Sequence, residues 1–212
     1  MLSEIIADSR FKDEIWGKRP SYYKSLSKNR LKQLSVPETI EDLLEDSRVS
    51  NSIFNFYRDG KTLTSLSEGS VDSKVILQEY DRGFTGRVLG VHKKYFMLSA
   101  LCSGIVRDFE CDAQANLYVT APDSSGVELH YDDHDVFVIQ ISGKKHWKVY
   151  EKTKEAINRP TCSKHLSSLE LPEILNMSID EGDVLYIPKG FSHVTSTSEL
   201  PSIHVTIGVY RN

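Results

Sequence analysis

The sequence predicts a mainly β domain behind a helical N-terminal annex, an α+β chain whose strands close into a sandwich or barrel. Three observations carry this. Beyond Ala115 six short β-branched or aromatic runs follow one another, broken by Gly, Pro, Ser and Asp clusters, with no helical pattern between them. Upstream of about residue 110, residues 1–50 and 89–106 read as helical, with a hairpin and a short strand between them. The chain of 212 residues is long enough for one real core with an annex packed on it.

In chain order, residues 1–50 read as helical and polar. Thr39 caps a helix whose apolar positions are Ile40, Leu43 and Leu44, with Pro37 stopping what came before. Residues 53–64 read as a hairpin: Ile53, Phe54, Phe56 and Tyr57, the turn pair Asp59-Gly60, then Thr62 and Leu63. Val75-Ile76-Leu77 is a short strand. From Leu89 to Val106 the residues Tyr95, Leu98, Leu101, Cys102, Ile105 and Val106 recur at three- and four-residue spacing and share one helix face. The strands after Ala115 are Leu117–Val119, Val136–Ile141, Trp147–Tyr150, Val184–Ile187, His193–Thr197 and Ile203–Val209.

Composition narrows the function classes. Hydrophobic residues are 39% and charged residues 26%, which excludes wholesale disorder. A net charge of −4 argues against broad nucleic-acid binding, which needs surplus clustered Lys and Arg. Cys102, Cys111 and Cys162 are odd in number and lack CxxC spacing, so they read as small hydrophobes in a reducing compartment. The N-terminus has no basic region followed by an apolar run, and nowhere do about 18 apolar residues run together. No membrane partner and an intracellular, cytoplasmic protein are the expectation.

The densest polar cluster is His130-Tyr131-Asp132-Asp133-His134-Asp135, which runs into Val136-Phe137-Val138-Ile139. Strand alternation puts His130 and Asp132 on one face and Tyr131 on the other, so two ligands close on one metal ion. Imidazole with carboxylate suits Fe(II) or Mn(II), and a further imidazole completes a 2-His-1-carboxylate triad with open positions. His193 supplies it: Glu181 through His193 reads as turn, strand, turn, then a His opening a new strand. In a jelly roll, strands fold back so that residues this far apart meet at the barrel mouth. His134 is a neighbour outside the coordination sphere, and His92, His146 and His165 are surface or satisfied core residues.

In Gly143-Lys144-Lys145-His146-Trp147-Lys148-Val149-Tyr150 the alternation puts Lys145, Trp147 and Val149 on the inward face. A cation aimed into an apolar interior is costly unless an anion meets it, and a dicarboxylate co-substrate provides one.

These motifs resemble the Jumonji C oxygenases of the cupin-4 group, the ribosomal oxygenases that hydroxylate protein side chains. The likeness runs through Asn116-Leu117-Tyr118-Val119-Thr120, His130-Tyr131-Asp132-Asp133, Phe137-Val138-Ile139-Gln140, Gly143 through Trp147, and Ser202-Ile203-His204-Val205-Thr206-Ile207-Gly208. It is visible again at Trp16-Gly17-Lys18-Arg19-Pro20. The resemblance implies a double-stranded β-helix (a cupin-like jelly roll) in a single domain over 1–212, with about 1–110 as annex and first strands and about 111–212 as metal-binding core. It implies iron on His130, Asp132 and His193, with Lys145 and Thr206 on the distal carboxylate of 2-oxoglutarate and Asn116 and Tyr118 lining that pocket. It implies Fe(II), 2-oxoglutarate and O2, and hydroxylation of an Arg, His or Lys side chain in a protein or peptide with a basic target segment. Asp133 and Asp135 fall on the face opposite the ligands or at its edge, so at least one is expected near the rim of that mouth, the other reading being that they only cap a turn. Family members continue into a dimerising helical region and a winged-helix-like domain, whereas this sequence ends at Asn212, which leaves the oligomeric state open. Two alternatives stand beside this reading: an N-methyl-lysine demethylase using the same ligands, and a jelly roll that only binds a partner.

Overall fold

The computed structural model describes residues 6, 8–24, 26–49, 52–58, 61–66, 72–152 and 171–211. Its strands are β1 (Ser21–Lys24), β2 (Phe54–Arg58), β3 (Lys61–Leu66), β4 (Thr85–Val88), β5 (Asp112–Thr120), β6 (Asp135–Lys152), β7 (Glu173–Asp180), β8 (Asp183–Ile187), β9 (Phe191–Ser196) and β10 (Ser202–Tyr210). Its α-helices are α1 (Lys28–Gln33), α2 (Ile40–Glu45), α3 (Ser73–Asp81) and α4 (Phe96–Phe109). A π-helical turn at Phe11–Ile15 and a 3-10 turn at Val91–Lys93 complete the annex.

The large sheet has the order β1-β8-β6-β10-β5-β4-β2-β3, with β7 and β9 paired to β6 off that path. β6 is the hinge of the architecture. Its first half pairs with β8 and β10, and its second half pairs with β7 and β9 in a smaller sheet. The strand leaves one sheet for the other at Gly143, which has φ +68 and where a Cβ would sit 1.9 Å from the Pro201 carbonyl oxygen. Only glycine passes that corner. The two runs read from sequence, Val136–Ile141 and Trp147–Tyr150, are therefore one continuous strand. Two sheets sharing strands around a closed mouth make this a jelly roll.

Both faces of the large sheet are covered, which explains its unbroken apolar runs. Phe137, Ile139, Ile203, Val205 and Ile207 pack against the annex, where Tyr95, the N-cap of α4, and Leu98, Leu101, Cys102 and Ile105 within it are buried as their spacing predicts; Val106, expected on the same face, is exposed instead, one step round the helix from Ile105. Val136 and Val138, on the other face, join Trp147, Val149, Ile179, Leu185, Ile187 and Phe191 between the sheets. Cys102 and Cys111 are buried, unlinked thiols, and burial pushes the Cys102 thiol up to about 12. Cys162 and His165, like the Asp59-Gly60 turn, lie outside the described residues.

Several local expectations are corrected. Val75-Ile76-Leu77 lies in α3, not in a strand. Asp72 caps that helix by accepting from the Lys74 amide at 2.9 Å, and only Ile76 is buried, so a three-residue run was too short to carry a period. The first 50 residues are not all helical: β1 pairs antiparallel with β8, Ser21 opposite Tyr186. The long helix starts at Phe96 rather than near Leu89, because Gly90 turns left-handed at φ +67 and the chain makes a 3-10 turn first. Thr39 does cap α2, in a reciprocal box with Asp42.

The C-terminal end is clasped to the annex. Asp135 is fully buried and accepts from the Lys189 amide at 2.6 Å, while Arg211 Nε lies 2.8 Å from its other oxygen. Arg211 stands over the Trp16 ring at 5.7 Å, and the Gly17 amide donates to the Tyr186 hydroxyl at 2.8 Å. Asp135 is thus a structural anchor and not a rim carboxylate, so of the two only the exposed Asp133 remains for the rim. Burial raises its carboxyl above the usual range, so the folded state binds this proton more tightly than the unfolded chain does. Replacing Arg211 by Met should destabilise the fold by about 2–3 kcal/mol at neutral pH, since it leaves a buried charge unpaired. The penalty should shrink as pH falls from neutral into the acid range, where the proton neutralises Asp135 ahead of an ordinary carboxylate. Urea melts of Arg211→Met and the parent across that range test it, and a penalty that is flat or larger in acid would refute the clasp.

Candidate functional site

Between the two sheets and the loop before β6 lies a cavity of about 480 Å³. Strand alternation decides what faces it. On β5 the inward row is Gln114, Asn116, Tyr118 and Thr120, and on β10 it is His204 and Thr206 with Tyr210, while Leu117, Val119, Val205 and Ile207 point into the annex core. Asn116 is opposite Thr206 and Tyr118 opposite His204 in the ladder.

At the mouth, ligand atoms of His130, Asp132 and His193 all lie within 4.8 Å of one another, the one such group among the described residues. His130 and Asp132 are not inside a strand as expected. They sit in the loop before β6, held by a single bridge in which the His130 amide donates to the His193 carbonyl at 3.1 Å and the reverse bond is 2.7 Å. The separation read from alternation survives: Tyr131 is buried on the other side.

The donor set fits a divalent ion. His130 Nδ1 is 2.6 Å from the Glu128 carbonyl oxygen, and His193 Nδ1 is 3.2 Å from the Phe191 carbonyl oxygen. A carbonyl only accepts, so each neutral ring carries its proton on Nδ1 and turns Nε2 toward the shared point. His193 Nε2 stands 3.6 Å from Asp132 Oδ2. Burial, with the His130 ring beside it, pulls His193 down to about 4, the charge of Asp132 opposing. Burial acts to raise Asp132, but the three nearby imidazoles and Arg87 outweigh it and hold its carboxyl low. Two neutral imidazoles and one carboxylate leave half of an octahedron open. His134 stays outside this set: its Nδ1 lies 3.0 Å from Asp133 Oδ1.

Lys145 faces the same cavity from β6, 1% exposed. Its ammonium donates to Thr120 Oγ1 at 2.6 Å, and Thr120 and Thr85 hydroxyls are 3.0 Å apart. Burial lowers its pKa to about 7, with no carboxylate offsetting the loss of water. His204, 3% exposed, stacks on Tyr118 at 4.9 Å and 4°, meets Trp147 edge-on at 5.7 Å, and is pushed well below the usual imidazole range by burial and by Lys145. The Lys145 ammonium, with no carboxylate partner in this polar pocket, makes it an anion site. Asn116 Oδ1 accepts from the Gly90 amide at 3.1 Å, which leaves its NH2 for the cavity.

Sequence reading missed Thr85 and Arg87, because four-residue β4 is too short for its alternation to register. Arg87 lies over the Tyr57 ring at 5.0 Å, hydrogen-bonds Tyr118 and lines the cavity. Glu128 and Trp147 also line it. His92 and His146 are structural, as expected: His92 Nδ1 accepts from the Ala115 amide at 3.0 Å, and His146 Nδ1 is 3.2 Å from Ser178 Oγ. No helix among the described residues is long and apolar enough to cross a membrane.

A jelly roll with a His-Asp-His cluster at its mouth and a buried cation behind it defines a cupin-type metal domain. The chain belongs to the JmjC domain family, whose model matches residues 91–212. Its relatives include proteins named bifunctional lysine-specific demethylase and histidyl-hydroxylase NO66. That of Drosophila persimilis is 31% identical over 99% of this chain and 31% of its own length, and that of Dictyostelium discoideum 28% identical over 100% and 42%. The chain spans about a third of the length of these relatives. Among solved structures, Escherichia coli ycfD superposes with a TM-score of 0.67 at 23% identity, covering 96% of this chain and 52% of that one. A complex of the ribosomal oxygenase YcfD with cobalt and 2-oxoglutarate superposes with 0.64 at 21% identity, covering 95% and 50%. At that identity the likeness carries the fold.

The cluster should bind about one Mn(II) per chain as a stand-in for Fe(II). Asp132→Ala and His193→Ala should each weaken it by at least about 100-fold; Asp132→Ala should keep the melting temperature within a few degrees, and the buried His193, which packs on Trp147, is better replaced by Gln to keep its volume. Titration followed by electron paramagnetic resonance reads this, and undiminished Mn(II) binding in His193→Ala would remove it from the triad.

Proposed function

We propose that this protein is an Fe(II)- and 2-oxoglutarate-dependent oxygenase that hydroxylates an Arg, His or Lys side chain in a protein or peptide. The observation that carries the reading is Lys145, a buried cation without a carboxylate partner, set in the same cavity as a complete 2-His-1-carboxylate cluster. A module that only binds a partner has no use for either.

His130, Asp132 and His193 hold the metal on one face, oriented through the Glu128 and Phe191 carbonyls. When bound there, iron and 2-oxoglutarate supply the oxidising chemistry: O2 gives one oxygen atom to the substrate C–H and one to succinate, with CO2 released. Lys145 pairs with the distal carboxylate of 2-oxoglutarate, with Thr206 donating beside it. Asn116, through its free amide, and Tyr118, fixed by His204 and Arg87, line the co-substrate's path. Trp147, Val136 and Leu89 keep water from the centre. At the outer side Glu128 and the exposed Asp133 supply negative charge, which with a net charge of −4 favours a basic target segment. The relatives' printed name, bifunctional lysine-specific demethylase and histidyl-hydroxylase, supports a basic side chain as the target.

Conversion of 2-oxoglutarate to succinate by the Fe(II)-loaded protein tests the activity. Lys145→Ala should raise the 2-oxoglutarate concentration required by roughly 30-fold. The ammonium is charged below about pH 7, so affinity should be full there and fall by up to tenfold per pH unit above it, whereas Lys145→Arg should stay flat. A wild-type affinity independent of pH through that window refutes the pairing.

Peptides presenting Arg, His or Lys should gain one oxygen atom, read as about 16 daltons by mass spectrometry. Loss of a methyl group from N-methyl-lysine instead would make the protein a demethylase, and preference for acidic or purely apolar peptides would overturn the basic-target reading.

A further inference from the structure

Asp135 has a partner that a clasp between the C-terminal end and the annex does not require. Its Oδ1 accepts the Lys189 amide at 2.6 Å, and the next amide along, Gly190, donates to the Asp132 carbonyl at 3.0 Å. Two successive N–H groups of one turn thus go to the segment that carries His130 and Asp132. The turn is tight. Phe191 donates to the Pro188 carbonyl at 3.2 Å, Gly190 has φ +84, and Lys189 is not among the positive-φ residues, which makes it type II. Phe191, which closes it, is buried, lies under the Lys152 ammonium at 4.8 Å, and presents the carbonyl 3.2 Å from His193 Nδ1. The turn therefore touches the backbone of Asp132 on one side and the ring of His193 on the other. Asp135, which holds it, has little freedom of its own. Arg211 Nη2 donates to Oδ1 at 3.2 Å and Nε stands 2.8 Å from Oδ2, so the carboxylate is gripped at both oxygens. Arg211 is wedged in turn between the Trp16 ring and Gly17, where a Cβ would run into its Nη1.

We propose that Asp135 is a positioning residue of the metal centre: through the Lys189 amide it sets the turn that places the Asp132 backbone and the His193 ring about one ion. This rests on reading His130, Asp132 and His193 as metal ligands and is independent of the substrate. Asp135 touches no ligand atom. It acts by fixing where the Pro188 carbonyl and the Lys189 and Gly190 amides stand, and the two ligand-bearing segments follow because each is bonded to that turn or continues from it. The annex, through Trp16, Gly17 and Arg211, then bears on the metal from outside the cavity.

Lys189→Pro isolates the bond. Proline suits the second position of a type II turn, so this variant deletes one N–H and leaves the carboxylate paired with Arg211. It should weaken Mn(II) binding about 10-fold, and it should raise the water-proton relaxation caused by bound Mn(II), because a displaced ligand admits a further water. Asp135→Ala should do the same. Asp135→Asn, whose Oδ1 still accepts the Lys189 amide, should keep the affinity within about 3-fold of the parent. Combining Lys189→Pro with Asp135→Ala should add little, since both remove one bond. Tyr95→Phe loses its bond to Asp46 and lines no part of the cavity, so it should lower the melting temperature and leave Mn(II) binding unchanged. Parent-like affinity and relaxation in Lys189→Pro overturn the proposal. So does an equal loss in Tyr95→Phe, which would make the effect one of stability alone. Should Asp135→Ala fail to fold, Lys189→Pro and Asp135→Asn decide. A parent protein that binds no Mn(II) strikes the ligand assignment first, and the positioning role with it.

Discussion

β6 makes ladder hydrogen bonds to four other strands, and every functional feature of the molecule inherits its geometry. One strand must serve two sheets. It therefore turns at a corner where only glycine fits, and the alternation of its side chains has to satisfy the annex core, the inter-sheet core and the cavity in turn. Phe137 and Ile139 go to the annex, Val136 and Val138 to the space between the sheets, and past Gly143 the inward register delivers Lys145, Trp147 and Val149. A one-residue slip would expose Trp147 and bury Lys144, now paired with Asp180 in solvent, so the two cores hold the catalytic register in place. The buried cation costs stability, and the strand tolerates it because Trp147 and Val149, next in the same inward row, anchor its register.

That dependence explains which parts were legible in the amino-acid sequence. Alternation is a local property, so Lys145 facing inward, Tyr131 facing away from His130 and Asp132, and the buried stripe of α4 could all be read from spacing. The glycine corner joining Val136–Ile141 to Trp147–Tyr150 could not, because Gly143 between polar residues looks like an ordinary turn until Pro201 is known to press against it. Short elements were lost for a related reason. β1 and β4 have four residues each, fewer than a period needs, and they exist because β8 and β5 offer them edges. Asp135 misled for the opposite reason: its neighbours Asp132 and Asp133 face the mouth, and only the tertiary placement of Arg211 and the Lys189 amide reveals that it is an interior anchor.

The cavity is polarised along its length. Lys145 and the imidazole of His204 stand together without a carboxylate, and carboxylates gather on the outer side at Asp132, Glu128 and Asp133. In a site largely shielded from water such separation acts over several ångströms, since a low effective dielectric screens little. An anion with two charged ends is drawn to lie with one end at Lys145 and the other toward the metal, and a cation is repelled from the deep end and held at the mouth. Charge thus distinguishes the two ends of the cavity before shape acts on any ligand.

What keeps three ligand atoms within 4.8 Å before any ion is bound is the lacing of the loop before β6 onto β9. Residues 121–134 form no strand, yet Asp123 bonds Ser198, Ser124 bonds Thr197, Gly126 bonds Thr195, His130 bonds His193 in both directions, and Gly190 bonds the Asp132 carbonyl. Gly126 lets the backbones close up, since a Cβ there would lie 2.0 Å from Thr195 Oγ1. The loop therefore behaves as an additional strand in stiffness while keeping a loop's freedom in side-chain direction, which is how His130, Asp132 and the His134 ring all reach one cavity from five consecutive positions. The ordering entropy of that segment is met by backbone hydrogen bonds during folding and not by the metal at binding, so the centre is preorganised. The side chains of the loop are then placed by a backbone that is already fixed, and His134, two residues from Asp132, lines the same cavity.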